Sequence, residues 1–146
     1  MFTIQVEDSG ISYQLCSRKS LVEPIINDAC HFLAELGCTC ISGFKIVARE
    51  LLFNAIEHGS LDSAKSKINF TIKPVDEINL FEITIQDQGN GFEFQRLNLS
   101  QEPLDPRHIE NRGYFLINEI AEEIQFKEGG RHVSVFLRIN RVIGFN

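Results

Sequence analysis

Apolar residues change their period several times along the chain, and each change marks an element. Phe2, Ile4 and Val6 alternate, Asp8, Ser9 and Gly10 interrupt, and Ile11 to Cys16 resumes, predicting a strand or hairpin. From Leu21 the spacing becomes three and four: Val22, Ile25, Ile26, Ala29, Phe32, Leu33 and Leu36 share one helical stripe, which Gly37 stops. Phe44, Val47, Ala48, Leu51, Leu52 and Ala55 repeat that spacing and predict a helix from near Ser42 to His58, followed by Gly59. Period two returns at Ile68, Phe70 and Ile72 and again at Phe81, Ile83 and Ile85, giving two strands joined through Pro74 to Asn79. Glu93 to Arg112 holds Pro103 and Pro106 and no sustained period, the pattern of a long loop, either a functional lid or a disordered segment. Gly113 is expected to open an apolar helix through Ile117 and Ile120, and Ile124 to Phe126 reads as extended. Gly129 and Gly130 turn the chain into a last strand in which Val133, Val135, Leu137 and Ile139 alternate. Helices followed by mostly antiparallel strands, with one helix inserted late, predict an α+β fold, a two-layer sandwich. With no repeat and no linker, residues 1–146 read as a single domain.

Charge narrows the function classes. Fourteen Lys and Arg against twenty Asp and Glu give a formal charge of -6, the wrong sign for a phosphate-backbone binder, so no direct nucleic-acid partner is expected. No apolar run approaches the ~20 residues that span a bilayer, and nothing near the start reads as a secretory signal. The expected address is cytoplasmic, with no membrane partner. Cys16, Cys30, Cys38 and Cys40 then read as free thiols. A zinc site of Cys30, Cys38, Cys40 and His31 is disfavoured, because C-x-C is not a usual paired-cysteine zinc spacing. His132, in or beside the last strand, takes a surface role.

Three groups carry candidate chemistry. Glu50, Asn54 and His58 are four apart and form one polar row beside the apolar stripe of their helix. A carboxylate and an amide one turn apart offer the oxygen ligands that hard cations such as Mg²⁺ take, or they are an ordinary solvated helix face. The run Asp87-Gln-Gly89-Asn-Gly91-Phe92 joins an Asp on the inward parity of its strand to two glycines. It is either a reader of a flat base, the carboxylate accepting from an exocyclic amine, or a strand-ending turn in which Asp87 caps backbone amides. Arg112-Gly113 at the expected helix start is a natural phosphate seat, and Arg96, Arg107 and His108 concentrate positive charge nearby. The bland alternative is a surface loop with scattered charges. Neither a dinucleotide fingerprint nor a Walker A loop is present.

Taken together, Glu50-Leu-Leu-Phe-Asn54-Ala-Ile-Glu-His58-Gly59, Asp87-Gln-Gly89-Asn-Gly91-Phe92 and Arg112-Gly113-Tyr-Phe-Leu resemble the N box and two glycine boxes of the GHKL ATP-binding superfamily. The compact length and helix-helix-strand lead-in look most like the anti-sigma factor serine kinases of bacterial partner-switching systems. The resemblance implies a Bergerat-type ATP-binding fold and ATP with Mg²⁺ as cofactors. It implies Glu50 as general base, Asn54 as Mg²⁺ ligand and Asp87 as acceptor from the adenine amine. Gly89 and Gly91 would shape the base pocket, Arg112 and Gly113 would lie at the phosphates, and His58 would stand at the phosphate end. The implied partners are an anti-anti-sigma protein of the STAS fold, phosphorylated on serine, and a sigma factor or similar regulator held by a nucleotide-bound homodimer. A non-catalytic module gated by nucleotide is the alternative. Two positions depart from the pattern: Asn111 stands where a glycine is usual, and Gly130-Arg131 replaces a Gly-Thr pair.

Overall fold

The computed structural model describes residues 2–6, 10–58, 66–75, 79–89, 95, 99 and 109–142, apart from the side chains of residues 58 and 109–112. Its strands are β1 (Phe2–Val6), β2 (Ile11–Cys16), β3 (Lys67–Pro74), β4 (Leu80–Gln86), β5 (Glu123–Lys127) and β6 (His132–Arg138). Three helices accompany them: α1 (Val22–Glu35), α2 (Ser42–His58) and α3 (Ile109–Ile120). The strands make one sheet in the order β1-β2-β3-β4-β6-β5, antiparallel at every pairing, with β1 and β5 at the edges. This is the expected α+β architecture.

The register shows why the period-two runs fold this way. One row crosses all six strands as Ile4, Tyr13, Phe70, Ile85, Val133 and Phe126, and another as Val6, Ile11, Ile72, Ile83, Val135 and Ile124. Side chains of these rows share one face. The helices cover that face with Val22, Ile25, Ala29 and Leu33 of α1, Phe44, Val47, Leu51 and Leu52 of α2 and Ile117 of α3, all buried. Only at β1 does the cover run out, leaving Ile4 and Val6 exposed. The row between the two apolar ones is polar throughout: Gln5, Ser12, Thr71, Thr84, Ser134 and Gln125. The sheet therefore has one dry face and one polar face.

Local details fix the ends. Gly37 ends the first helix in the left-handed region at φ 89°, and a Cβ there would stand 2.5 Å from the Val142 carbonyl oxygen, so no other residue fits. The Tyr13 hydroxyl, which cannot be buried without a partner, donates to Asp28 Oδ2 of α1 at 2.6 Å and ties the sheet to the helix layer. Two expectations are corrected. The last strand stops at Arg138 and not Ile139, and α3 begins at Ile109, four residues ahead of Gly113. Only the first four N–H groups of a helix lack intrahelical acceptors, so Gly113 is an interior residue and is not itself the free-amide phosphate seat expected at a helix start.

Candidate functional site

The polar row of α2 lies against α3, and Gly113 is the point of contact. A Cβ added at Gly113 would stand 2.6 Å from Glu50 Oε2 and 3.3 Å from Asn54 Nδ2. The missing side chain therefore lets the α3 backbone press onto the carboxylate and the amide. That contact takes water from both. Burial pushes the Glu50 carboxyl above its usual range, an effect that Arg49 opposes and Glu57 reinforces. The Asn54 amide is half-buried, and its Nδ2 makes no hydrogen bond of good geometry among the described residues. The solvated-face alternative thus fails for Glu50 and Asn54. His58 ends the same helix, but its side chain lies outside the described residues.

Tyr114 carries the site across to the sheet. Its buried ring packs edge-on against Phe126 of β5, the centroids 5.3 Å apart. Burial, followed by the Asp87 charge, raises its phenol above the ordinary range, and a hydrogen bond with the Asn54 side chain opposes the rise. Sequence reasoning passed over Tyr114. The available signal was its place directly after Gly113, where a large ring at the helix-sheet junction has to fill the space a glycine opens.

Asp87 stands one residue beyond β4, so strand parity alone does not turn it inward. Its N–H nevertheless extends the ladder, donating to the Arg131 carbonyl at 3.0 Å. Its carboxylate Oδ1 accepts from the Gly89 N–H at 2.8 Å. The strand-ending turn is therefore realised, the Asp capping its own turn, and its carboxylate is half-buried. Burial raises its carboxyl, and the Gly89 N–H and the Arg131 guanidinium pull it back. Gly89 is buried, and Gln88 Oε1 accepts from the Lys67 N–H at 3.2 Å, which pins the turn to β3. Gly91, the side chain of Arg112 and the charges at Arg96, Arg107 and His108 lie outside the described residues.

The described geometry is a helix border bearing a desolvated acid and an amide against α3, with a second half-buried acid, Asp87, just beyond β4, whose charge is felt at the buried Tyr114. A histidine kinase-like ATPase domain model matches residues 18–137, a span that takes in all three helices, β3 to β5, β6 short of its last residue, and the whole site. The chain belongs to that family. Its GHKL-type ATP-binding fold follows, and with it ATP binding of the kind found in kinase and ATPase domains. No match was found among curated proteins. Of the two departures, Asn111 lies in the first turn of α3 of this histidine kinase-like ATPase domain and Arg131 directly before β6. Arg131 is exposed, anchored by its Nε on the Glu128 carbonyl at 3.0 Å, and its charge acts on Asp87.

The thiols are free, and burial pushes those of Cys30 and Cys38 up, away from reactivity. Among the described residues no cluster of His, Cys, Asp or Glu gathers for a metal. No helix among them is long and apolar enough to cross a membrane.

Proposed function

We propose that this chain is an ATP-dependent serine kinase of a bacterial partner-switching system. It phosphorylates an anti-anti-sigma protein of the STAS fold, and its nucleotide-bound homodimer holds a sigma factor or similar regulator. The observation that carries the catalytic part is the Glu50 carboxylate, desolvated against the backbone of Gly113 one helical turn from Asn54. A base must take a proton from a hydroxyl whose own affinity for it is far higher, and a carboxyl raised by burial is better matched to that task than a solvated one.

The serine oxygen attacks the γ-phosphorus of ATP, a new O–P bond forms, the bond to the β,γ-bridging oxygen breaks, and ADP leaves. Glu50 receives the serine proton. Such transfer needs little beyond placement and charge stabilisation. The donor set suits Mg²⁺: a half-buried amide one helical turn from a carboxylate, both offering oxygen ligands. Asn54 would hold the ion, which when bound offsets the negative charge of the phosphates. Asp87, with Oδ1 fixed by Gly89, would accept from the adenine amine through its other oxygen, and Gly89 and Gly91 would line the base pocket. Arg112 and His58 would serve the phosphate end.

The test is transfer of labelled γ-phosphate to a purified cognate STAS protein, with wild type and Glu50→Gln compared at equal Mg-ATP occupancy. Loss of about 10²- to 10⁴-fold in Glu50→Gln is expected. Tight Mg-ATP binding by wild type without transfer to any STAS protein would replace the kinase reading with the nucleotide-gated binding module.

A further inference from the structure

The Asn54 carboxamide has two chemically different ends, an oxygen that can ligate a cation and an NH₂ that cannot. Which of them is offered to a ligand depends on what holds the other. The Nδ2 atom is buried and lies on the α3 side, where a Cβ at Gly113 would stand 3.3 Å from it. The side chain that bonds the amide there is Tyr114, the next residue of α3. This bond favours the ionised phenol, so the phenol oxygen is the acceptor and the amide N–H the donor. It is a loose bond, because Nδ2 has no partner of good geometry among the described residues.

Tyr114 is itself held from two layers. It is 5% exposed, and its ring meets Phe126 of β5 edge-on, the centroids 5.3 Å apart and the planes at 73°. The hydroxyl is therefore placed by a sheet strand as well as by α3. The Asp87 charge acts on the same hydroxyl. In that field the O–H dipole turns its hydrogen towards the carboxylate and leaves its lone pairs for other donors. Glu50 works in the same direction from α2, because its Oε2 and the Asn54 Nδ2 share the space that the absent Gly113 Cβ leaves. An amide presenting its oxygen to that carboxylate would bring two electron-rich atoms together, whereas its N–H is attracted. A leucine at position 114 could pack against Phe126 equally well, but it would give the amide no acceptor.

We propose that Tyr114 is a positioning residue: by accepting from the Asn54 N–H it fixes which way the amide faces and leaves Oδ1 as the end offered to Mg²⁺. The inference rests on the ATP and Mg²⁺ reading above and deepens it, giving a role to a side chain that has none there. Tyr114 acts only through Asn54, so its removal should be felt where the metal contributes and not where the base does.

Calorimetric titration of the full chain with a non-hydrolysable ATP analogue, once in Mg²⁺ and once in EDTA, tests it. The ratio of the two dissociation constants measures what the metal adds to binding. Tyr114→Phe keeps the ring against Phe126 and removes only the acceptor. In it the ratio should fall about three- to tenfold, the worth of one hydrogen bond, with affinity in EDTA within about twofold of wild type. In an Asn54→Asp background both ends of the side chain are oxygens, so Tyr114→Phe should no longer lower the ratio. The Asn54 side-chain NH₂ signals in ¹H–¹⁵N spectra recorded without nucleotide should move in Tyr114→Phe, and unmoved signals would show that the phenol does not hold the amide. That result would overturn the proposal, as would an unchanged ratio, an equal loss of affinity in Mg²⁺ and in EDTA, or the same fall in the Asn54→Asp background. Failure of Tyr114→Phe to fold would make the hydroxyl a structural requirement and overturn it too. Wild type that ignores the analogue, or binds it equally well with and without Mg²⁺, would instead defeat the nucleotide or the metal reading, and this inference would fall with it.

Discussion

Gly113→Ala separates the fold from the chemistry. Within a helix, alanine is favoured over glycine by about 1 kcal/mol, which for a chain of this size is a gain of about 3 °C in Tm. Against that stands the new methyl, 2.6 Å from Glu50 Oε2. To reach an ordinary contact near 3.4 Å the carboxylate must withdraw by about 0.8 Å. The end of a glutamate side chain moves that far at small cost, so the fold keeps most of its gain. The carboxylate, however, is the proposed base, and a displacement near 1 Å at a reacting centre costs about 10²-fold in rate. The expected variant is at least as stable as wild type by thermal denaturation, keeps its affinity for the adenine base because Asp87 is untouched, and transfers phosphate about a hundred times more slowly at saturating Mg-ATP. Transfer within about threefold of wild type would show that the Glu50 position against α3 does not matter to the reaction. A Tm lowered by several degrees would show that the helix contact, and not the carboxylate, absorbs the strain.

Other substitutions probe the remaining parts. Glu50→Gln should raise stability near neutral pH: a carboxyl whose folded pKa lies above its unfolded value holds its proton better when folded, so stability is greatest below the unfolded value and falls as pH rises through the interval to the folded one. Urea titrations of wild type and variant across pH 4 to 8 should therefore diverge as pH rises; parallel curves would show that Glu50 is not desolvated. Asp87→Asn removes the charge on the proposed adenine acceptor and should weaken ATP binding about 10- to 100-fold in calorimetric titration, the worth of a hydrogen bond to a charged group; unchanged affinity would remove Asp87 from base recognition. Tyr13→Phe deletes the 2.6 Å bond to Asp28 and should cost about 1–2 kcal/mol in denaturant unfolding with little effect on ATP binding. Arg49→Ala breaks the exposed pair with Glu23 and should leave the urea midpoint nearly unchanged, since solvent screens such a pair.

Period and parity made most of the layers legible in the sequence. Alternation marks which side chains of each run share a face, Ile4, Phe70 and Phe126 at even positions and Tyr13, Ile85 and Val133 at odd ones, while the strand order and register that align them come from pairings alternation does not carry. The polar row of α2 was legible as a row, but spacing could not say what faced it. That depended on α3, whose first turn, Ile109 to Arg112, has no apolar period to announce it. Asp87 shows the same limit: parity placed it inward, while the outcome was set by a turn in which Gly89 donates to it and Arg131 extends the ladder beside it.

Gly113 shows how a residue can be found for one reason and matter for another. Sequence marked it as a helix start with free amides for phosphate, yet it lies a full turn inside α3. What its missing Cβ provides is contact, and that contact desolvates Glu50 from one side while Tyr114, the next residue, bonds the Asn54 side chain and feels the Asp87 charge. A displacement of α3 along its axis would then alter the environment of the proposed base and of the proposed adenine acceptor together. Mg-ATP bound against α3 would be felt at both carboxylates through a single rigid element. The Glu50 carboxyl should accordingly titrate at a different pH with Mg-ATP bound than without it, measurable by ¹³C NMR of labelled glutamate. An identical titration in the two states would mean that α3 stays fixed and that Glu50 is poised before nucleotide arrives.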